Sequence, residues 1–408
     1  MNKLPLEDCM AAIIDYRGKT PRKTSVGIPL ITAKIVKNGR IEQPEEFIDP
    51  LEYDEWMRRG LPQIGDVVIT TEAPLGEVAQ LSDSHIALAQ RLILLRGKPG
   101  LLDNTYLKYL LMSDGMQEQL GSRASGTTVV GIKQSELRKV HLSLPAIDQQ
   151  ESIAGVLGSL DDKIEQNRRT GRALEGLARA VFKAWFVDFE PVKAKAAGQT
   201  SFPGMPAAAF ASLPNRFVDS ELGPAPQGWE VRRLQDVMTL HYGKALNKTK
   251  RQPGQVPVYG SGGVNGTHNE SLVAGPGVIV GRKGSVGTLY WENQDFFPID
   301  TTFYVEPVAE LGLHYLFEQL QTLGLETMNT DAAVPGLNRD NAYRLEVVVP
   351  SSDVSRYFNQ YAKSLRDLIS HATAESAKLA ALRDYLLPRL LSGRVRVNGP
   401  TSSSGGVP

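Results

Sequence analysis

The sequence predicts an α/β protein, α+β in the segregation of its elements, built as two globular domains in tandem repeat with two long coiled-coil helices. Three observations carry this expectation. At 408 residues the chain is too long for a single hydrophobic core. Its two halves repeat one another. Each half also ends its strand-like region on a proline, Pro145 or Pro350, after which apolar residues recur at alternating spacings of three and four.

The repeat sets the domain boundaries. An offset of 228 carries Leu6, Asp8 and Met10 onto Leu234, Asp236 and Met238, and Arg22-Lys23 onto Lys250-Arg251. The offset then shrinks as loops shorten. "GDVVITTEAPLGEV" (65–78) resembles "GPGVIVGRKGSVGTL" (275–289) at about 210, and "ELRKVHLSLP" (136–145) resembles "NAYRLEVVVP" (341–350) at 205. The expected organisation is a first domain over 1–148, a central long helix over 149–190, a linker over 191–228, a second domain over 229–350, a distal long helix over 351–393 and a flexible tail over 394–408. The linker is rich in Pro, Ala and Gly and reads as a segment lying over the surface.

The first helix offers the seam Ile153, Leu157, Leu160, Ile164, Asn167, Gly171, Leu174, Ala178, Val181 and Trp185. The second offers Phe358, Tyr361, Leu365, Leu368, Ala372, Glu375, Leu379, Leu382 and Leu386, and is expected to be disrupted at Pro388 and capped by Gly393. Each seam is weakest at its centre, so parallel and antiparallel pairing would both bring the weak centres together. Each helix leaves its domain from its own N-terminal end, and antiparallel pairing then puts the domains at opposite ends under a pseudo-two-fold, with Asn167 near Glu375. Separate packing of each helix on its own domain is the alternative. About 35 residues at about 1.5 Å each make a rod of roughly 50 Å.

Composition excludes several classes. One cysteine, Cys9, leaves no intramolecular disulfide, as in a reducing, cytoplasmic setting. The N-terminus "MNKLPLEDCMAAII" meets an acidic pair before any apolar run and does not read as a secretory signal. No apolar run is long enough to span a membrane. Lys+Arg and Asp+Glu balance at 45 each, which argues against indiscriminate nucleic-acid binding and turns attention to local patches.

Two such patches recur in the same register. "YRGKTPRKTSVG" (16–27) holds Arg17, Lys19, Arg22 and Lys23; its counterpart "GKALNKTKRQPG" (243–254) holds Lys244, Lys248, Lys250 and Arg251. The Gly-Lys-Thr of the first is not an ATP loop, because Ile13 stands where the leading glycine of that motif must be. A single basic loop reads as solvated surface. Two in one register of a diverged repeat favour phosphate contacts. "GRKGSVG" (281–287) adds Arg282 and Lys283 at a turn, and "SRASGTTVVGIK" (122–133) adds Arg123, Thr127 and Lys133. Tyr16, Tyr242 and Tyr259 flank the basic loops, for stacking on sugars or, more simply, for the core.

Catalytic signatures are missing. There is no Asn-Pro-Pro-aromatic run to hold an extruded adenine, and "GSGGVNG" has Asn265 where a dinucleotide fingerprint ends in glycine. The six histidines show no ligand-pair spacing, and Asp161-Asp162 and Glu45-Glu46 read as solvated faces. No catalytic residue and no metal site is expected.

"LARAVFKAWFVDFEPVKAKAAG" (177–198), followed by "DSELGPAPQGWEV" (219–231), resembles the central region of type I restriction–modification specificity subunits. So do "GTTVVGIKQSELRKVHLSLPAIDQQESIAGVL" (126–157) and "LRDYLLPRLLSG" (382–393). The second half departs in reading "SSDVSRYF" where the first has Gln149-Gln150. The resemblance implies a DNA-reading subunit without catalysis of its own, whose two target-recognition domains each read half of a gapped site. It implies partners as well: double-stranded DNA, two methyltransferase (modification) subunits and restriction/translocase subunits. S-adenosylmethionine would be held by the methyltransferase, ATP and Mg²⁺ by the restriction partner. The competing expectation is a non-catalytic protein-interaction scaffold within a DNA-modifying complex.

Overall fold

The computed structural model describes residues 2–16, 21–126, 128–308, 311–329 and 336–397. The chain divides into two compact units, 1–166 with 375–408, and 167–374. Each unit therefore takes part of each long helix.

The first unit is organised on an antiparallel sheet whose strands run in the order Met10–Asp15, Leu92–Gly97, Val67–Thr71, Leu75–Gln80. The inner strand Val67–Thr71 is buried along its whole length, as its run of β-branched residues demands. Helix Asn104–Met112 lies against this sheet, its start capped by the Asp103 carboxylate accepting from the Tyr106 N–H. A smaller sheet pairs Ile28–Ile31 in parallel with Ala87–Leu88. Strands Asn2–Pro5 and His141–Leu144 pair antiparallel just before the first long helix.

The second unit repeats the main elements of this plan. Its sheet order is Met238–Tyr242, Thr302–Pro307, Gly277–Gly281, Leu289–Glu292. Helix Leu313–Gln321 matches Asn104–Met112, and Val256–Gly260 runs parallel to Phe297–Pro298. Glu230–Arg233 pairs with Glu346–Val349 before the second long helix.

The long helices span Ile147–Phe182, extended by a wider turn over Lys183–Val187, and Ser352–Leu391. Pro388 does not end the second helix, contrary to expectation. The helix continues to Leu391 and stops at Gly393, whose φ of +71° suits a glycine. Within the second unit Asn167 Nδ2 donates to the Ala372 carbonyl at 3.3 Å and Glu175 faces Arg366 at 3.7 Å. Within the first, Lys163 meets Glu375 at 3.5 Å and Asp161 meets Arg383 at 2.8 Å. Rising numbers on one helix meet falling numbers on the other, so the pairing is antiparallel in both units.

In the first helix the least exposed stripe includes Ile153, Leu157, Ile164, Asn167, Ala178 and Trp185, with Leu160 and Leu174 half-buried. The second helix corrects the expected seam. Its stripe runs through Phe358, Ala362, Leu365, Ile369, Ala372, Ser376, Leu379, Arg383, Leu386 and Leu390. Leu368 and Leu382 are 55% and 45% exposed, and Glu375 is exposed. Adjacent residues compete for every second seam position, and hydrophobicity alone prefers Leu382. Arg383 takes that place because Asp161 compensates its charge.

Asp161 is no solvated carboxylate. It accepts from Lys108 Nζ (2.7 Å), the Tyr109 hydroxyl (2.7 Å) and Arg383 (2.8 Å). Burial would raise its pKa, but these donors outweigh burial and hold it below the ordinary value. At the matching place in the second unit, 161 + 205, stands Arg366, paired with the buried Glu318 at 3.3 Å and packed on Phe317 and Trp291. There burial of the carboxyl wins and the Glu318 pKa is raised despite Arg366. The helix–domain junction thus recurs with its charges inverted.

Residues 191–228 do not lie loosely over the surface. Short helices Glu190–Ala196 and Ala207–Ala211 and the hairpin Phe217–Val218/Ala225–Pro226 deliver Val192, Met205, Ala209, Phe210 and Leu213 into the core of the second unit. Phe182, Phe186, Tyr315 and Phe358 stack edge-to-face at the centre of that core. Residues 398–408, most of the expected tail, lie outside the described residues.

Candidate nucleic-acid interface

Backbone hydrogen bonds build one cleft twice. In the first unit, Ser125 and Gly131 exchange N–H···O bonds, the Ile132 N–H donates to Thr71 O at 2.9 Å, and the Thr71 N–H donates to Arg91 O at 2.9 Å. In the second, the Leu337 N–H donates to Arg282 O at 2.8 Å and the Arg282 N–H to Thr301 O at 2.9 Å. Gly131 is bridged to Glu72 as Gly336 is to Lys283. A side chain at Gly131 would come within 3.1 Å of Thr71 O and the Glu72 Cβ, so glycine permits this close approach without displacing its neighbours. Short helices then begin at Gln134 and Arg339. In this register Thr71, Glu72, Arg91 and Gln134 correspond to Arg282, Lys283, Thr301 and Arg339.

The cleft of the second unit encloses about 240 Å³ between Tyr242, Arg282, Lys283, Asn338, Arg339 and Asp340. Tyr242 is 48% exposed and carries two guanidiniums, those of Arg282 and Arg339, each 4.9 Å from its ring centroid. Arg282 Nη1 donates to Asp300 O at 2.7 Å, and Arg339 Nη1 to Leu240 O at 3.5 Å. The Arg339 Nε is buried and has no hydrogen-bond partner among the described residues. Lys283 is exposed at the rim.

The cleft of the first unit, about 370 Å³, has mixed polarity. Arg91 pairs with Glu72 at 3.0 Å, Gln90 and Ser125 line the wall, and Lys133 is exposed.

Most of the expected basic residues fall into three groups. Lys133, Arg282 and Lys283 line the clefts. Arg22, Lys244, Lys248 and Lys250 are exposed on loops. Lys23 and Arg123 are exposed or half-buried and tied to carboxylates, Glu46 at 2.9 Å and Glu136 at 3.6 Å. Arg17, Lys19 and Thr127 lie outside the described residues. Arg251 belongs to none of these groups. It donates to Asn265 O (2.7 Å) and Leu246 O (3.4 Å) and staples its loop to a neighbouring hairpin. Of the three tyrosines, Tyr16 and Tyr259 are buried and bonded to Gly60 O and Glu292, whereas Tyr242 faces the cleft. Sequence reasoning missed Arg91 and Arg339. Only the repeat register, followed past Gly336, could have pointed to Arg339.

Among the described residues no cluster of His, Cys, Asp and Glu could hold a metal, and no helix is long and apolar enough to cross a membrane.

Two units of one topology, each with an equivalent polar cleft and each contributing to an antiparallel helix pair, define a duplicated recognition scaffold. The family model described as the type I restriction modification DNA specificity domain matches residues 16–175 and 226–369. The chain belongs to that family and is a specificity subunit of a type I restriction–modification system. It is 25% identical over 403 residues to the type I restriction enzyme MjaIX specificity subunit of Methanocaldococcus jannaschii, covering 91% of this chain and 87% of that one. It is 24% identical over 353 residues to the HindI specificity subunit of Haemophilus influenzae, covering 71% and 77%. In fold it resembles the crystal structure of the S subunit from M. genitalium, with a TM-score of 0.56, 18% identity and 95% of each chain covered.

Proposed function

We propose that each unit presents its cleft to one half of a gapped DNA sequence and that the helix pair sets the gap. The observation that carries this reading is the cleft itself, built twice by the same backbone bonds but lined by different side chains. A scaffold held in register by hydrogen bonds, with variable side chains at fixed places, is what reading two different short sequences requires. The exposed Lys244, Lys248, Lys250 and Arg22 supply phosphate contacts, which give affinity and its salt dependence without reading sequence. A helical rod of roughly 50 Å, against about 3.4 Å per base pair, corresponds to roughly fifteen base pairs.

The chain acts without chemistry of its own. Methyl transfer to adenine belongs to two modification subunits docked on the helices, where the outward Leu368 and Leu382 offer apolar contacts. S-adenosylmethionine sits on those subunits, ATP and Mg²⁺ on restriction/translocase subunits, and the assembly works in the cytoplasm.

Mapping of methylated bases by long-read sequencing tests this, in cells producing the chain with its methyltransferase subunit. A motif of two short halves with a constant gap, lost when the chain is deleted, is the expected result. Active methyltransferase with no such motif would return the chain to a protein-interaction scaffold.

A further inference from the structure

The proposed DNA reading leaves open what each cleft recognises, and the second cleft carries a narrower assignment that rests on that reading. We infer that Arg282 and Arg339 read guanine in the half-site taken by the second unit.

A guanidinium fork offers paired donors and seeks paired acceptors. In the major groove guanine alone presents two, O6 and N7, on one base edge. A phosphate presents paired acceptors too, so the choice rests on how the arginines are held. Both lie on the Tyr242 ring at 4.9 Å, Arg282 is tied to Asp300 O, and Arg339 is tied to Leu240 O through Nη1. These anchors fix the forks in place, as base reading requires. The Leu240 contact uses Nη1 of Arg339, which lines the cleft beside Arg282. Phosphates need less positioning, and the exposed lysines Lys244, Lys248, Lys250 and Lys283 stand around the same unit for that work.

The duplicated register supplies the contrast. Where the second unit has Arg282, Lys283 and Arg339, the first has Thr71, Glu72 and Gln134, and its Arg91 is already engaged by Glu72. The backbone bonds that present these positions are the same in both. Substitution has therefore changed the chemistry and kept the frame, and the guanine-reading forks belong to one half-site only.

The test is the methylation motif made in cells by the chain, together with its methyltransferase subunit, as wild type, R282K, R339K and the pair K248A/K250A. Lysine keeps the charge and loses the fork. The expected result is that R282K or R339K relaxes a guanine position in one half-site, with discrimination against other bases falling at least about tenfold. The other half-site and the gap stay unchanged. K248A/K250A is expected to lower methylation at all sites alike with every letter retained. If R339K fails to accumulate as folded protein, R339Q serves instead and is expected to shift that position from guanine toward adenine. Motifs that remain strict at every guanine in R282K and in the Arg339 variant would overturn the inference, whether or not overall methylation falls. A wild-type chain that directs no gapped motif would instead overturn the proposed function, and the wild-type arm shows this before any variant is read.

Discussion

Asn167 donates its side-chain N–H to the backbone carbonyl of Ala372 across the helix pair, at 3.3 Å and with the asparagine 7% exposed. Glu375, the residue expected beside it, pairs with Lys163. A buried amide in a coiled-coil seam fixes register at a cost in stability. Asn167→Leu is therefore expected to raise stability by about 1 kcal/mol in urea unfolding. The same change should add a second gap length to the methylation motif. Lower stability with a single gap would show the amide to be an ordinary packing group.

The Asp161 junction should be the most sensitive point of the first unit. Asp161→Ala leaves Lys108, whose side chain is 7% exposed, without its counter-charge and removes one of two carboxylates that face Arg383, the other being Asp384. A loss of about 3–5 kcal/mol is expected from denaturant unfolding. The pH dependence follows from the depressed pKa. An acid whose folded value lies below its unfolded value adds stability that is present above the unfolded value, here 3.8, and is lost as pH falls through the folded one. Asp161→Asn should flatten the stability curve below about pH 4 relative to wild type.

His314 predicts a second, milder acid effect in the other unit. Burial, then the charges of Arg366 and Lys363, push its pKa down to about 4 from an ordinary 6.5. The folded state therefore favours the neutral ring, which packs on Trp291 at 4.4 Å. Stability from this group is present above pH 6.5 and drains away as pH falls toward 4. Allowing for its partial exposure, the loss is on the order of 1–2 kcal/mol. His314→Gln should remove it, as read from urea midpoints at pH 7 and pH 4.5.

Lys250 and Arg251 are neighbours with different tasks, and salt titration of DNA binding by the assembled complex separates them. Lys248→Glu with Lys250→Glu is expected to weaken binding and to reduce the slope of log K against log salt by about 2. Arg251→Ala should leave the slope within error and make the loop 246–252 more open to protease, because it removes the bonds to Asn265 and Leu246. An equal loss of slope in both variants would put Arg251 back among the phosphate contacts.

Phe210 tests the standing of the segment 191–228. It is 3% exposed within the core of the second unit. Phe210→Ala should cost about 3–5 kcal/mol, whereas a loose surface linker would tolerate the change within about 0.5 kcal/mol.

Much of the architecture is legible in one dimension. The repeat at offsets of 228, 210 and 205 gives two units of one topology, because duplicated sequence folds by the same local rules. Alternating spacings of three and four give two long helices, because that period places apolar residues on one stripe. Paired basic loops mark where lysines stand exposed. The composition-based linker was misread, because Ala and Pro that punctuate a loop also pack well once a neighbouring core is available.

Tertiary structure alone decided the rest, and in each instance the reason is a contact that only folding makes, whether the residues lie close in the chain or far apart. Arg383 enters the seam in place of Leu382 because Asp161, 222 residues away, meets it. Arg251 becomes a staple because Asn265 and Leu246 offer carbonyls. Tyr242 becomes the floor of a cleft because Arg282 and Arg339 converge on it from separate loops. Periodicity and repetition are properties of the chain read in order, whereas the partner that satisfies a charge or a donor exists only after folding has brought it there.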